Sequence, residues 1–384
     1  MDIDKIIEKL KKDTNNASDI TYREKKVWKK RTEIIYIESL TNSDKISDFI
    51  IRSLDKIDKY ITKKNLYTTI INDIENFKYT EITSYKDISY YLNYGFTIIL
   101  IEDEDKAIAL ETKGELNRSI QTSQTENTLR GSMDSFVENM QTNLGLIRRR
   151  IKDNNLWINS HELGRYTKTK VNIIYIKTIC KQEYIDEVEK YLKKIDIDGI
   201  TSSGTIKNLI EQENKSTFPT VISTERPDRV SQALLSGKIV IMIDTSPFAL
   251  IIPVCINDFF LATDDTYSKS INISLTRILR YTAFFITLLT PAVYIAITTY
   301  NQEMLPTQLL ISFAAQRSTV PFPAFIEAII MLASFEILRE CNLRLPTSTT
   351  SALSIVGALI LGEAAVNAGI VSPISPPILG TRNN

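Results

Sequence analysis

The sequence contains few of the residues that bind metals or cross-link a fold. It has one histidine, His161, and three cysteines, Cys180, Cys255 and Cys341, which lie far apart. No pair of them has the spacing of zinc ligands, and the odd number of thiols indicates no disulfide framework. We therefore expect isolated thiols in a reducing compartment, and no metal or other cofactor.

An excess of charge of one sign is also absent. Lysine plus arginine and aspartate plus glutamate both total 46 residues, so nothing indicates nucleic-acid binding. The N-terminal stretch MDIDKIIEKLKKDTNN lacks the apolar segment of a signal peptide, and the N-terminal part is expected to stay on the cytoplasmic side. The chain has no P-loop, glycine-rich dinucleotide motif, GxSxG motif or paired Cys/His set, so no enzyme class is indicated.

The charges that are present are unevenly distributed along the 384 residues. Residues 1–90 are rich in Lys, Asp, Glu and Asn, whereas residues 281–380 carry only a handful of charged side chains. A chain of this length exceeds one ordinary core, so two or three domains are expected. This uneven distribution of charge predicts a polar N-terminal part followed by an apolar C-terminal part.

The hydrophobic pattern divides the polar part. Residues 1–40 are predicted to form a polar, helical and partly mobile leader. A first α/β subdomain is predicted over 41–125, because apolar residues recur at helical spacing near its start. Within it, 94–112 is typical of two strands joined by the acidic turn Glu102–Asp105. The polar stretch 113–130 marks its boundary.

A second α/β subdomain is predicted over 130–270. An amphipathic helix (132–152) precedes a β-branched run typical of a buried strand (171–180), and 238–253 indicates a hairpin. A membrane span over 238–254 is the alternative, but the charge of Asp244 would cost about 3 kcal/mol of insertion free energy at the bilayer centre. Alternating strands and helices indicate the α/β class.

Membrane helices are predicted over 274–373, with spans at 281–302, 321–341 and 351–372. The first span carries no formal charge, and as a helix it would extend about 33 Å, enough to cross the hydrocarbon layer. Arg277 and Arg280 precede it, which places its N-terminal side in the cytoplasm under the positive-inside rule.

Ionisable side chains within these apolar stretches are candidate pore or interface residues, because such groups are costly in a membrane. They are Glu327, Glu336, Arg339 and Glu363. Glu336 and Arg339 are three residues apart, so they share a helical face and can pair. Structural hydrogen bonding is the alternative role for Glu327 and Glu363.

Three consecutive arginines, Arg148, Arg149 and Arg150, form a candidate site in the polar part. They could bind phosphate or an anionic membrane surface. A run of this kind is more often a solvated helix face with local ion pairs, and both interpretations are kept.

A second charged motif comprises Glu225, Arg226 and Asp228 around Pro227. Pro227 disfavours helix at Arg226, and Asp228 can cap a helix that begins there. The motif is predicted to be a capped turn with an arginine–carboxylate clamp, and a subunit interface is the alternative.

Several ordered blocks of the sequence are similar to a known family. They are PFPAFIEAIIMLASFEILRECNLRLPTSTTSALSIVGALILGEAAVNAGIVSP (321–373), SFVENMQTNLGLIRRRIKD (135–153), GRYTKTKVNIIYI (164–176), FPTVISTERPD (218–228), GKIVIMIDTSPFALIIP (237–253) and LPTQLLIS (305–312). On these blocks, which cover about 130–373, the chain resembles the A subunits of GerA-type nutrient germinant receptors from endospore-forming bacteria.

The resemblance implies a function in germination. Such A subunits are expected in the inner membrane of the dormant spore, in contact with lipid, with two cytosolic N-terminal subdomains. They are expected to assemble with a B subunit, which resembles amino-acid transporters and is thought to hold the nutrient, and with a C lipoprotein. Family members are thought to oligomerise, with a pentamer suggested, into a ligand-gated ion channel.

The chain departs from the family pattern at two places. Asp244 is followed by Thr245 where family members usually have glycine, and a turn built for positive φ would be strained by a β-branched residue, unless the loop has another geometry. After Pro373 the family continues through further helices, whereas residues 374–384 are predicted to be an aberrant tail of a truncated copy. The predicted fold is therefore a cytosolic α/β region of two subdomains followed by an incomplete all-α transmembrane domain. A truncated product is expected not to conduct ions.

Three other functions stay open. One is an A-subunit-like accessory protein of the spore ion and dipicolinate release machinery, which shares the same motifs. Another is a ligand-binding module tethered to a membrane by one helix, which folding and small-molecule binding by residues 40–270 alone would favour. An enzyme is the third class, and only a screen showing turnover would support it.

Overall fold

The computed structural model describes residues 2–60, 66–74, 78–114, 126, 131–213, 216, 218–267, 269–318, 320–343, 360, 362–369 and 371–372. The chain forms two compact units, Met1–Ser268 and Lys269–Asn384. The first unit contains both β-sheets, and the second is helical. The predicted tail (374–384) and half of the predicted third span (351–372) lie outside the described residues.

The first subdomain combines one five-stranded sheet with helices. Its strands are β1 (Ile20–Val27), β2 (Lys30–Ile37), β3 (Tyr79–Ile82), β4 (Thr97–Ile101) and β5 (Ala107–Leu110). Its helices are α1 (Ile3–Asp13), α2 (Ser43–Lys45), which continues through the π-helical turn Ile46–Ile51 into α3 (Arg52–Tyr60), α4 (Leu66–Asp73) and α5 (Tyr85–Asn93). The strand order is β1-β2-β4-β5-β3, and each pair of neighbours is antiparallel.

Helices cover both faces of this sheet, because successive strand residues point to opposite sides. On β2, Ile35 packs in a cluster with α1 and α5, whereas its neighbour Ile34 packs in a second cluster with α3 and α4. Ile98 and Ile99 on β4 divide between the two clusters in the same way. The predicted pair of strands within 94–112 is confirmed as β4 and β5.

The prediction that residues 1–40 form a leader outside the first subdomain is wrong. Strands β1 and β2 lie within this range and pair over their full length, and β2 is hydrogen-bonded to β4. The turn between them consists of Trp28 and Lys29, both with positive φ, without the glycine or asparagine that usually marks such a turn. The exposed edge strand β1 is also rich in charged residues, which obscures its alternation.

The second subdomain is built in the same manner. Its strands are β6 (Leu156–Leu163), β7 (Thr169–Ile176), β8 (Ile222–Thr224), β9 (Ile239–Ile243) and β10 (Ala249–Ile252). Its helices are α6 (Met140–Arg150), α7 (Gln182–Lys194), α8 (Ser203–Glu213) and α9 (Pro227–Leu235). The sheet is antiparallel with strand order β6-β7-β9-β10-β8, and the predicted hairpin within 238–253 is confirmed as β9 and β10.

The two subdomains repeat one topology. In each, a helix leads into a hairpin, further helices lead to an edge strand, and one helix returns to a second hairpin. The strand order of the second sheet follows that of the first, strand for strand. In the second subdomain α6 and α9 cover one face, and α7 and α8 the other. Unit 1 is therefore a tandem pair of three-layered subdomains.

Unit 2 contains α10 (Ser270–Thr299), α11 (Thr307–Arg317), α12 (Ala324–Leu343) and a further helical stretch at 362–367. Among the described residues, α10 is the one helix whose length and composition allow it to cross a membrane. At roughly 1.5 Å per residue it extends about 45 Å. Most of its large apolar side chains are exposed. It contains most of the first predicted span and also the turns with Arg277 and Arg280.

Candidate functional site

The three consecutive arginines lie in the last turn of α6, where positive charge favours the helix dipole. They have three different partners. Arg148 is buried and donates to Asp19, Arg149 donates to the Gly114 carbonyl oxygen at 3.2 Å, and Arg150 donates to both oxygens of Asp134 at 2.7 Å. The three guanidinium groups therefore do not converge on a common phosphate site.

The ion pair between Asp19 and Arg148 joins the two subdomains of unit 1. Arg148 Nη2 lies 2.7 Å from Asp19 Oδ1, and its Nε donates to Oδ2. Both side chains are at most 2% exposed. Ser39 Oγ donates to the same carboxylate at 3.1 Å. A buried pair of this kind holds its partners together strongly, because separating them leaves an uncompensated charge.

Polar contacts surround this ion pair along the edge strand β6. Trp157 Nε1 donates to the Asp13 carbonyl oxygen at 3.0 Å, and Ser160 and Ser18 hydroxyls lie 2.9 Å apart. The segment between α1 and β1 of the first subdomain thus packs on β6 of the second.

A polar cavity of about 390 Å³ adjoins the joint. Its lining includes Asp19, His161, Glu162, Lys170 and Asp244, together with the N-terminal turn of α6. The Nε2 atom of His161 is buried and has no hydrogen-bond partner among the described residues. Residues of opposite charge, Lys170 with Glu162 and Asp244, line one space, so the cavity is suited to a small polar molecule that carries both signs of charge.

The second predicted motif is a buried arginine clamp. Arg226 is 1% exposed and donates to both oxygens of Asp228, at 3.1 and 2.7 Å. It also donates to the backbone carbonyl oxygens of Glu126 and Ser132, at 3.1 and 2.8 Å. Burial opposes the charged form, but the bonds to Asp228 outweigh it and raise the pKa of Arg226 above its ordinary value.

Helix α9 starts where the motif predicts, with one correction. Pro227 is its first residue and Arg226 holds the N-cap position with extended backbone. Asp228 lies in the first turn, where a negative charge is favourable, and is not the N-cap. Glu225 accepts through its backbone oxygen from Phe136 N at 2.8 Å.

Asp244 and Thr245 form the turn after β9. Asp244 lines the polar cavity and accepts from Met140 N at 3.4 Å. Thr245 has φ of +69°, the left-handed conformation that costs a β-branched residue about 1–2 kcal/mol. The expected strain at this position is therefore confirmed. Its amide donates to the Glu138 carbonyl oxygen at 3.0 Å, which fixes this conformation.

The charged residues of unit 2 occupy different environments. Glu327 is fully buried in the first turn of α12 and accepts from the backbone N–H of Ser372. Glu336 and Arg339 pair with each other on an exposed face of the same helix, and Glu363 is exposed. Glu327 is thus separated from the exposed candidates, and it is placed to hold the segment at Ser372.

Three residues that take part in these contacts could not be identified from the sequence. Asp19 pairs with a residue 129 positions away, and no local pattern indicates this. Glu126 accepts from Arg229 at 2.8 Å, and Tyr267 OH lies 3.4 Å from Asp228 Oδ2. Burial and the nearby Asp228 charge raise the pKa of Tyr267 above its ordinary value.

The fold and these sites define a class of protein: a tandem pair of antiparallel α/β subdomains, joined by a buried ion pair, followed in sequence by an apolar helix long enough to span a membrane. The family model described as "Bacillus/Clostridium GerA spore germination protein" matches residues 8–376. The chain belongs to this GerA family, as its resemblance predicts. The family consists of germination proteins and is not a known enzyme family.

Relatives within the family are similar over most of the chain. Spore germination protein KA of Bacillus subtilis (strain 168) is 41% identical over 372 residues, which are 96% of this chain and 68% of that protein. GerLA of Bacillus cereus is 33% identical over 96% of this chain and 75% of its own length. The membrane protein YfkQ of Bacillus subtilis (strain 168) is 38% identical over 88% of this chain and 66% of its own length. The chain thus spans about two thirds to three quarters of the length of these relatives.

A solved structure is similar to unit 1. It is the N-terminal domain of the A subunit of the Bacillus megaterium spore germinant receptor GerK3, with a TM-score of 0.52 and 31% sequence identity. The match covers 66% of this chain and 95% of that domain. The predicted fold class, two α/β subdomains followed by a helical part, is confirmed.

Proposed function

We propose that this chain is the A subunit of a nutrient-sensing germinant receptor and that, contrary to the expectation for a truncated product, it contributes to ion release when germination starts. The observation that carries the proposal is the similarity of unit 1 to a germinant-receptor A subunit, together with family membership over nearly the whole chain. Its function is binding and gating and not catalysis.

The proposed location is the inner membrane of the spore, with unit 1 on the cytoplasmic side. Helix α10 supports this, because its large exposed apolar side chains are suited to lipid tails and to neighbouring helices. Arg277 and Arg280 in its first turns favour a cytoplasmic N-terminal end.

The proposed assembly contains B and C subunits and several copies of this chain, with a pentamer as the expected number. Glu336, Arg339 and Glu363 are exposed within unit 2 and are proposed to meet partner helices or a pore. Glu327 is proposed to position the segment at Ser372, because it is buried within unit 2 without any partner chain.

The test is nutrient-triggered cation release from spores that produce this chain with its B and C subunits. Leu288 is 61% exposed on α10, and Leu288→Lys would place a charge within the span at a cost of about 3 kcal/mol. We expect Leu288→Lys to abolish release and Leu288→Phe to leave it unchanged. Release that is independent of this chain, or an unmutated chain that stays soluble without detergent, would contradict the proposal.

The polar cavity in unit 1 favours a second candidate function, a membrane-tethered ligand-binding module. Its oppositely charged lining residues, Asp244 and Lys170, are suited to a small zwitterion. Calorimetric titration of residues 1–268 with glycine, acetate and methylammonium would test this. Tighter binding of glycine than of either fragment, lost in Asp244→Asn and in Lys170→Gln, is the expected result.

A further inference from the structure

An apolar groove runs along α10 within unit 2. It has a volume of about 480 Å³, and successive turns of α10 line it from Thr282 to Thr298. Leu305, and Phe313 on α11, complete its lining. At roughly 1.5 Å per residue the α10 wall extends about 24 Å, whereas one leaflet of the hydrocarbon layer is about 15 Å thick. The groove is therefore long enough for one acyl chain.

Three threonines of α10 line this groove without making it polar. Each donates its hydroxyl to the backbone carbonyl oxygen four residues earlier: Thr282 to Ile278 at 2.8 Å, Thr290 to Ile286 at 2.6 Å and Thr298 to Tyr294 at 2.7 Å. A hydroxyl that is bound to its own helix needs no polar partner in the groove. Leu289 and Val293, which lie between these threonines, are exposed and apolar. The lining is therefore suited to hydrocarbon.

A second, more polar cavity of about 400 Å³ adjoins the groove where α10 ends. The two linings share Thr298, Leu305 and Phe313. Arg317, the last residue of α11, lines the second cavity, and so does Ala324 at the start of α12. Within the part of the chain that the structure describes, no acidic side chain lines this cavity, and Arg317 forms no ion pair. The second cavity is therefore suited to an anionic group.

We propose that unit 2 binds one anionic phospholipid, with an acyl chain in the groove along α10 and the phosphate group on Arg317. The guanidinium group presents its donors in a planar fork that matches phosphate oxygens. A headgroup of net charge −1, as in phosphatidylglycerol, fits a cavity to which the described residues contribute one arginine and no carboxylate. The ammonium group of phosphatidylethanolamine would have no acidic partner among them. This inference rests on the proposed membrane location.

Native mass spectrometry of the full chain in detergent micelles tests the headgroup site. Phosphatidylglycerol and phosphatidylethanolamine with identical acyl chains are added, and the dissociation constant of each lipid is measured. We expect phosphatidylglycerol to bind about fivefold more tightly, because Arg317 attracts its net negative charge. Arg317→Gln should bring the two dissociation constants together. Arg317→Lys is the matched control, which keeps the positive charge and should keep the preference.

The variant Val293→Trp tests the groove. Val293 lines the groove and is 49% exposed, so a larger side chain there takes up space that the acyl chain needs. We expect both lipids to bind about tenfold more weakly, because part of the chain loses its apolar contact. Leu288→Trp is the matched control, because Leu288 is 61% exposed on the same helix and lies outside the lining. It should leave both dissociation constants unchanged.

Equal affinity of the unmutated chain for the two lipids, or a preference that persists in Arg317→Gln, would refute the headgroup site. Unchanged lipid binding in Val293→Trp would refute the groove, and so would a dimer of this chain that Val293→Trp dissociates. Glycerol phosphate that competes as well as phosphatidylglycerol would show a site for a free anion only. A chain that is absent from the membrane pellet contradicts the proposed location, whereas a chain that is in the pellet and fails these tests contradicts this inference alone.

Discussion

Loss of the Arg148 guanidinium should destabilise unit 1 more than loss of any exposed charged side chain of the same unit. Arg148→Met keeps most of the aliphatic side chain but leaves the Asp19 carboxylate, which is 1% exposed, with the Ser39 hydroxyl. Removing one partner of a buried ion pair costs about 3–5 kcal/mol. Since a domain is stable by about 5–15 kcal/mol, the variant should lose a large part of its stability.

The double variant Asp19→Asn with Arg148→Met separates charge burial from packing. It removes both charges at nearly constant volume, so it should recover about half or more of the loss. Arg165→Met is the matched control, because Arg165 makes a similar two-bond contact with Asp196 in which both side chains are more than half exposed. This control should change stability little.

Urea unfolding of residues 1–268 is the assay. The fragment is one compact unit, and the N-terminal domain of a relative has been crystallised as a separate domain. Trp157 at the subdomain joint is one of two tryptophans, and Trp28→Phe leaves its fluorescence as a reporter of the joint. A loss below about 1 kcal/mol in Arg148→Met, or a double variant no more stable than the single one, would refute the reasoning.

Three further predictions concern unit 1 and one concerns unit 2. Thr245→Gly should raise the free energy of unfolding by about 1 kcal/mol, seen as a higher Tm, because the exposed Thr245 has positive φ. Burial raises the pKa of Glu33 above its ordinary value, so its charged form destabilises the fold. Glu33→Gln should therefore raise the free energy of unfolding at pH 7, and this gain in stability should vanish as the pH falls below about 4.5. Burial opposes ionisation of Asp134, but bonds from Arg150 and Ser132 lower its pKa. Asp134→Asn should therefore lower the free energy of unfolding at neutral pH. This difference between variant and unmutated protein should shrink as the pH falls below 3.8 and should vanish below the lowered pKa. Glu327→Gln keeps an acceptor for Ser372 N–H and should preserve protease resistance of the full chain in detergent, whereas Glu327→Ala should lose it.

Each of these predictions has an outcome that contradicts it. An unchanged or lower Tm in Thr245→Gly would show that the turn is not strained. A pH-independent effect of Glu33→Gln or Asp134→Asn would show that the carboxyl charge is not what matters. Equal behaviour of the two Glu327 variants would remove the acceptor role of that side chain.

The features that could be predicted from sequence are those whose cause is local. The hairpins within 94–112 and 238–253 follow from apolar runs separated by polar turn residues, and both are present. The start of α9 follows from Pro227, whose ring excludes helix at the preceding residue. The hairpin of β1 and β2 was missed because its turn, Trp28–Lys29, lacks the usual turn residues.

By itself, the sequence determined the family, the division into a polar and an apolar part, and the apolar character of α10, because these depend on composition and short-range pattern. Only the tertiary structure decided that residues 20–37 complete the first sheet, that Asp19 neutralises Arg148, and that Tyr267 contacts the Arg226 clamp. Buried charges require partners, but the partner is chosen by the packing of distant segments. Spacing along the chain does not indicate which carboxylate will pack against Arg148.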